Sequence, residues 1–151
     1  MRVVLFEPEI PPNTGNIVRL CAATDTELHL VEPLGFKLDD GRLKRAGLDY
    51  WPHVRVFVWP DFNSLPRDGS RLVMTSAKVG TPVHTFAFEM DDTLVFGPET
   101  RGLPQEILAL SPHRTRIPMN HAHVRSLNLS TAAGIALYAA LARCGMPEHF
   151  V

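Results

Sequence analysis

Short apolar runs recur along the chain at residues 3–6, 28–31, 54–58, 72–74, 94–96 and, more weakly, 115–117. Each has strand length and is bounded by turn residues. The runs beginning at Val3, Leu72 and Leu94 are nearly continuous in apolar residues instead of alternating, as parallel strands covered on both faces must be. Between them the pattern predicts helices over residues 17–24, 43–48, 61–65, 104–110 and 128–144. The expectation is an α/β fold, a mostly parallel sheet flanked by helices.

The last predicted helix stops at Gly145, with Pro147 just beyond. It reads as apolar nearly all round and therefore needs cover on more than one side. Ala132, Ala133, Gly134, Ala136, Ala139 and Ala140 would let another backbone approach closely, and a partner subunit is the expected cover.

Composition adds bounds. A chain of 151 residues, 45% hydrophobic and 21% charged, matches an ordinary globular protein, and one domain spanning residues 1–151 is expected. Cys21 and Cys144 lie far apart with no C-x-x-C spacing and no secretory segment ahead of them, which fits a reducing cytoplasm. No apolar run is long and clean enough to span a bilayer. The formal net charge of −1 offers no global electrostatic case for nucleic acid. Arg42, Lys44 and Arg45 form one small basic cluster and Arg114 and Arg116 another; solvated faces are the ordinary explanation for both.

Several chemistries are unsupported. The turn after the first strand, Glu7-Pro8-Glu9-Ile10-Pro11-Pro12-Asn13-Thr14-Gly15-Asn16, holds neither a dinucleotide-binding nor a P-loop glycine pattern. No nucleophile elbow accompanies the serines. His121 and His123 have no neighbouring carboxylate or cysteine to complete a ligand set, so no metal is expected.

Three segments remain. Residues 10–20 lead from turn residues into a helix, with Asn13, Thr14 or Asn16 as its expected cap; Arg19 follows on the helix. Residues 94–104 place Gly97, Pro98, Glu99 and Gly102 where a strand ends, which is where ligands bind in α/β sheets. Residues 125–134 gather Ser126, Asn128, Ser130 and Thr131 ahead of an apolar helix. Capping explains one or two of these polar side chains, and a bound ligand is a candidate partner for the others.

The segments N-T-G-N-I-V-R, F-G-P-E-T-R-G-L-P and R-S-L-N-L-S, with the flanking E-P-E-I-P-P and the middle stretch K-R-A-G-L-D-Y, resemble the three signature motifs of the SPOUT RNA methyltransferases. The similarity covers essentially the whole chain and is to the small single-domain branch that modifies the tRNA wobble ribose. It implies a C-terminal deep trefoil knot holding S-adenosylmethionine, a homodimer whose sites use both subunits, and the tRNA anticodon loop as partner. The implied reaction is 2′-O-methylation of cytidine at tRNA position 34, and of 5-carboxymethylaminomethyluridine there.

Carried onto this chain, the resemblance implies Arg19, Asn13, Glu99 and Asn128 as catalytic residues. It implies donor contacts at Thr75, Gly97, Ile117 and Ser126, with Pro98, Met119 and Leu127 as neighbours. Arg42, Lys44, Arg45, Arg101 and Arg125 are candidates for RNA phosphates, and Tyr50 or Trp51 for stacking on a base. Asn120-His121-Ala122-His123-Val124 has no counterpart in the motifs, and Leu127 and Thr131 stand where methionine and asparagine are expected. Methylation at another tRNA or rRNA position, or a catalytically silent RNA-binding domain of the same fold, are the alternative readings.

Overall fold

The computed structural model describes residues 1–47 and 49–151. Strands β1 (Arg2–Phe6), β2 (Glu27–Val31), β3 (Val56–Trp59), β4 (Leu72–Ser76), β5 (Thr81–Pro82), β6 (Thr93–Phe96) and β7 (Arg114–Arg116) join in one sheet. Their order is β3-β2-β1-β6-β4-β7-β5, and every neighbouring pair is parallel. Helices α1 (Pro11–Ala23), α2 (Gly41–Gly47), α3 (Gln105–Leu108) and α4 (Leu129–Cys144) flank it.

The alternation of side chains along each strand separates two cores. Val3 and Leu5 of β1, Leu28 and Leu30 of β2, and Leu94 and Phe96 of β6 face one way, onto Ile17, Val18 and Cys21 of α1 and Ala133, Leu137 and Leu141 of α4. Val4, Phe6, Val31, Met74 and Val95 face the other way, onto Phe62, Leu65, Leu103, Ile107 and Leu108. Both faces are buried, which is why the sequence shows continuous apolar runs at these strands. The Cys21 thiol is sealed in the first core, and burial pushes its pKa up to about 12.

Helix α1 starts at Pro11, well before the expected residue 17, so the segment read as a turn is helical. Prolines at its first positions are compatible with helix because the amides there have no intrahelical acceptor to lose. Ile10 is the N-cap and makes no side-chain cap bond. Asn13, Thr14 and Asn16 therefore do not cap this helix.

Other boundaries shift as well. The helix expected over residues 61–65 is a single 3-10 turn at Phe62–Ser64, capped by the Asp61 carboxylate, which accepts from the Ser64 amide at 2.9 Å. Another 3-10 turn, Trp51–His53, delays β3 to Val56. The helix expected over residues 104–110 shortens to α3, and the two-residue β5 is too short to leave a periodic signature. Leu48, expected at the end of α2, lies outside the described residues.

Helix α4 is capped by Asn128 and ends at Gly145 as expected. Its burial is one-sided within the chain: Ala133, Ala136, Leu137 and Ala140 are buried, while Ile135 is 39% and Tyr138 44% exposed.

Candidate active site

A cavity of about 670 Å³ opens at the carboxyl ends of β4, β6 and β7. Its walls come from the residues that follow these strands, together with the segment leading into α4. All seven positions named for the donor, Thr75, Gly97, Pro98, Ile117, Ser126, Met119 and Leu127, line it, as do Asn13, Glu99 and Asn128. The volume falls within the range of small-ligand sites, about 300–1,000 Å³.

The loop after β6 is held by backbone geometry. A Cβ at Gly97 would lie 2.2 Å from the Leu103 amide nitrogen and 2.3 Å from the Gly102 carbonyl carbon, so only glycine lets the loop fold back on itself there. Gly102, at φ +67°, closes the turn by donating its amide to the Pro98 carbonyl at 2.9 Å. On the neighbouring strand the Thr75 hydroxyl donates to the Val95 carbonyl at 2.8 Å, fixing β4 against β6 at the cavity floor.

Glu99 ties this loop to the start of α1. Its carboxylate accepts from the amides of Glu9 (2.7 Å) and Ile10 (3.0 Å) and from the Asn13 side-chain amide (3.3 Å). It thus fills the anion position at the helix N-terminus that no local side chain occupies. Asn13 is only 5% exposed, and its carbonyl oxygen accepts from the Asn128 side-chain amide at 2.9 Å. The Asn128 carbonyl oxygen in turn caps α4, accepting from the amides of Ser130 (2.9 Å) and Thr131 (3.3 Å) and from the Ser130 hydroxyl (2.6 Å).

A second link runs parallel to the first. The Thr100 amide and hydroxyl donate to the Glu9 carboxylate at 3.1 and 2.8 Å, and Arg101 pairs with Glu7. The Thr100 hydroxyl, with help from its amide, holds the Glu9 carboxyl below the usual carboxylate range.

The segment ahead of α4 is open to solvent. Residues 121–126 are exposed, as are Asn128 and Thr131, and burial begins at Leu129. Solvent can therefore satisfy Ser126 and Thr131, and the polar cluster does not by itself require a ligand. His121 and His123 sit in an exposed turn where the Asn120 side chain accepts from the Ala122 amide at 3.0 Å. Among the described residues no group of three or more His, Cys, Asp or Glu is placed to hold a metal ion.

Arg19 stands apart from the other named residues. It is exposed on α1 and does not line the cavity of its own chain; its guanidinium carbon lies 4.9 Å from the centroid of the Tyr50 ring. Tyr50 thus has one ring contact already made. Trp51 packs partly against the core under α1 and α4. Of the basic cluster on α2, Arg42 is paired with Asp40 at 3.2 Å and Arg45 donates to the Gly41 carbonyl at 3.2 Å.

Sequence reasoning missed Ser76, Lys78, Val79, Gln105 and Arg116, which also line the cavity. The signal available was positional: Ser76 to Val79 follow the end of a buried parallel strand, as Gly97 to Gly102 do.

A parallel sheet covered by helices, with a cavity of small-ligand size built from loops at one end of its strands, defines an α/β protein with a ligand site at the carboxyl ends of its strands. The chain belongs to the SpoU rRNA Methylase family, which matches residues 1–138. It is 51% identical over 142 residues, 91% of this chain and 92% of the relative, to a tRNA (cytidine(34)-2′-O)-methyltransferase of Methylovorus glucosotrophus. Identity to the enzyme of that name from Escherichia coli K12 is 46% over 151 residues, covering 97% and 96% of the two chains. A solved structure described as giving insight into the 2-OH methylation of C/U34 on tRNA superposes with a TM-score of 0.88 at 46% identity, covering 94% of each chain. The SPOUT resemblance read from the three motifs therefore holds, and the α/β fold matches it.

Proposed function

We propose that this protein is an S-adenosylmethionine-dependent tRNA (cytidine(34)-2′-O)-methyltransferase, the activity its relatives are named for, and that it also accepts 5-carboxymethylaminomethyluridine at that position. The observation that carries this reading is the Glu99–Asn13–Asn128 chain of hydrogen bonds, which joins all three motifs at the rim of one cavity. Residues 1–151 act as a single domain, in the cytoplasm. No helix among the described residues is long and apolar enough to cross a membrane.

The cavity suits the methyl donor. Its apolar lining residues Leu103, Ile117, Leu127 and Leu129 fit the faces of a purine. Gly97 lets the loop after β6 fold back on its own backbone at the cavity wall, and the Glu99 carboxylate is already committed to Glu9, Ile10 and Asn13. Thr75, Gly97, Ile117 and Ser126 hold the donor, with Pro98, Met119 and Leu127 beside it, and no metal takes part. When bound, S-adenosylmethionine supplies a methyl group on a sulfonium, an already activated donor.

The remaining task of the chain is to place the ribose and help its 2′-hydroxyl lose a proton. Arg19 stays charged, with a guanidinium pKa above about 12, and is not a general base in the ordinary sense. It hydrogen-bonds the 2′-oxygen and stabilises the negative charge developing there, while a neighbouring RNA phosphate accepts the proton. Asn13, Asn128 and Glu99 keep the three motifs in register. Arg19 lies outside its own chain's cavity, and the exposed Ile135 and Tyr138 of α4 await cover. A homodimer meets both requirements, with each site drawing on two subunits. The C-terminal half forms the deep trefoil knot of the family, and the anticodon loop is the docking partner.

The test is incubation of the purified protein with labelled S-adenosylmethionine and tRNA lacking the modification, followed by nucleoside analysis. Label in the 2′-O-methyl group of nucleotide 34 supports the proposal; label elsewhere rejects the target, and donor binding without transfer rejects the activity. Arg19→Ala is expected to abolish turnover while leaving donor binding largely intact, and near-normal turnover would remove Arg19 from this role.

A further inference from the structure

The Arg19 guanidinium is the most consequential group in the proposed reaction, yet it stands on the exposed side of α1. Among the described residues it meets no carboxylate within ion-pair distance, although Arg2, Arg42, Arg55, Arg71 and Arg101 all do. A long, solvated arginine side chain carries about 2 kcal/mol of rotamer entropy, and an unanchored one would spend most of its time away from a productive position. Its observed contact is with the face of the Tyr50 ring, 4.9 Å from the centroid.

The position of Tyr50 is built, not incidental. Helix α2 packs so closely on α1 that a Cβ at Gly15, one turn before Arg19, would sit 2.4 Å from the Ala46 Cβ and 2.8 Å from the Leu43 carbonyl oxygen. Leu43 is fully buried in that contact region, which fixes α2 against α1. The chain then reaches Tyr50, the N-cap of the Trp51–His53 turn, whose carbonyl accepts from the His53 amide at 2.9 Å. Tyr50 also packs partly against the main core. The ring under Arg19 is therefore anchored from two directions.

We infer that Tyr50 is the positioning residue for Arg19, holding the guanidinium by a cation–π contact that leaves its hydrogen-bond donors free for the RNA. The inference rests on the catalytic reading of Arg19 and extends it. A guanidinium is planar, with five N–H groups in its plane and none on its faces. Stacking on an aromatic ring engages one face and no donor, whereas a carboxylate partner would occupy the same N–H fork that the 2′-oxygen or a phosphate needs, and would offset the charge. An aromatic ring restrains the arginine without competing with its substrate.

The same contact gives Tyr50 a role beside the base stacking its sequence position suggested. One face of the ring is covered by the enzyme's own cation. The residue serves the reaction through Arg19.

The experiment is to replace Tyr50 by phenylalanine, leucine and a series of increasingly fluorinated phenylalanines, and to measure kcat, donor binding and thermal melting of the full-length protein. Fluorination drains the ring's negative face at nearly constant shape, so kcat should fall stepwise along the series while melting and donor binding stay unchanged. Tyr50→Phe should stay within about twofold of the parent, and Tyr50→Leu, which keeps apolar bulk but no ring, should lose about three- to thirty-fold in kcat, the range expected of a cation–π contact. A flat fluorination series, or a Tyr50→Phe variant as slow as Tyr50→Leu, would overturn the assignment. Should Tyr50→Leu fail to fold, the fluorinated series still decides. Arg19→Ala run alongside separates the two ideas. If it keeps turnover, the reading of Arg19 fails; if it abolishes turnover and the series is flat, only the role of Tyr50 fails.

Discussion

The Asn128 side-chain amide donates to the Asn13 carbonyl oxygen across 2.9 Å, joining two segments 115 residues apart in the chain. Each partner also has a local duty. Asn13 reaches back to Glu99, and Asn128 caps α4. One hydrogen bond thereby couples the start of the first long helix to the start of the last, at the mouth of the cavity.

The two duties of Asn128 can be separated. Asn128→Asp keeps the capping oxygen but turns an acceptor toward Asn13; Asn128→Ala loses both functions. The alanine variant should be destabilised by about 0.5–2 kcal/mol through the cap alone. The aspartate variant should melt close to the parent yet lose about tenfold in kcat/KM, equivalent to about 1.4 kcal/mol and the size of one net hydrogen bond. Thermal melting paired with steady-state kinetics checks this, and a kcat/KM equal to the parent's in the aspartate variant would count against a role for the inter-helix bond.

Glu99→Gln should destabilise the fold by about 1–3 kcal/mol, read from urea unfolding at neutral pH. The carboxylate accepts three hydrogen bonds, one on Oε2 and two on Oε1. Whichever way the glutamine amide is turned, its NH₂ group meets a donor. Loss of the negative charge at the N-terminus of α1 adds to the effect, by about 0.3–1 kcal/mol. Unfolding free energy unchanged from the parent would show that water replaces these bonds without loss.

The two glycines of the cavity loop should respond in opposite ways. At Gly97 an added Cβ meets backbone atoms at 2.2 and 2.3 Å, contacts that side-chain rotation cannot relieve, whereas at Gly102 the space is open and only the positive φ of +67° resists substitution. Gly97→Ala should therefore lose donor binding by calorimetry together with at least about 1–3 kcal/mol of stability. Gly102→Ala should cost about 1–2 kcal/mol and Gly102→Asn less, with donor binding retained. A Gly97→Ala variant that binds donor normally would mean that the loop can open without consequence.

A pH effect is expected far from the cavity, on β2 where it pairs with the edge strand β3. His29 is 3% exposed, its ring stacked 4.8 Å from Phe57, and its Nδ1 accepts from the Trp59 indole N–H at 3.0 Å. Burial pushes the imidazole pKa down from 6.5, and the nearby Glu27 only partly offsets this. A second proton would also have to sit on Nδ1, where it faces another donor. Because the folded pKa lies below the unfolded one, the unfolded state takes up the proton first. Stability is then fully present above about pH 6.5 and declines as pH falls from there through the folded pKa. Urea unfolding between pH 7.5 and 5, in about half-unit steps, should show this decline. In His29→Gln it should be shallower, and identical slopes in the two proteins would assign the effect elsewhere.

Much of the sheet was legible from the chain alone. The strands β1 and β6 and the first three residues of β4 have both faces covered, so nearly every residue there is apolar and the run announces itself. The edge strand β3 begins later than its apolar run because Val54, the first apolar residue of that run, closes the 3-10 turn instead of pairing in the sheet. The beginning of α1 was misread for a related reason: Pro-Pro-Asn-Thr-Gly-Asn has the composition of a turn. It is helical because Pro11 and Pro12 stand where no helix amide needs an acceptor, and Glu99, from the other half of the chain, holds the Glu9 and Ile10 amides just ahead of them.

The site divides in the same way. The types and order of the residues along the chain determined which motifs were present, where strands ended and which loops could carry a ligand, since these follow from local composition and periodicity. That Glu99, Asn13 and Asn128 form one chain of hydrogen bonds, and that Arg19 rests on Tyr50 outside its own cavity, was decided only by the tertiary structure. Those contacts join residues tens of positions apart, and no local preference encodes the distance between side chains that the packing of α1, α2 and α4 brings together.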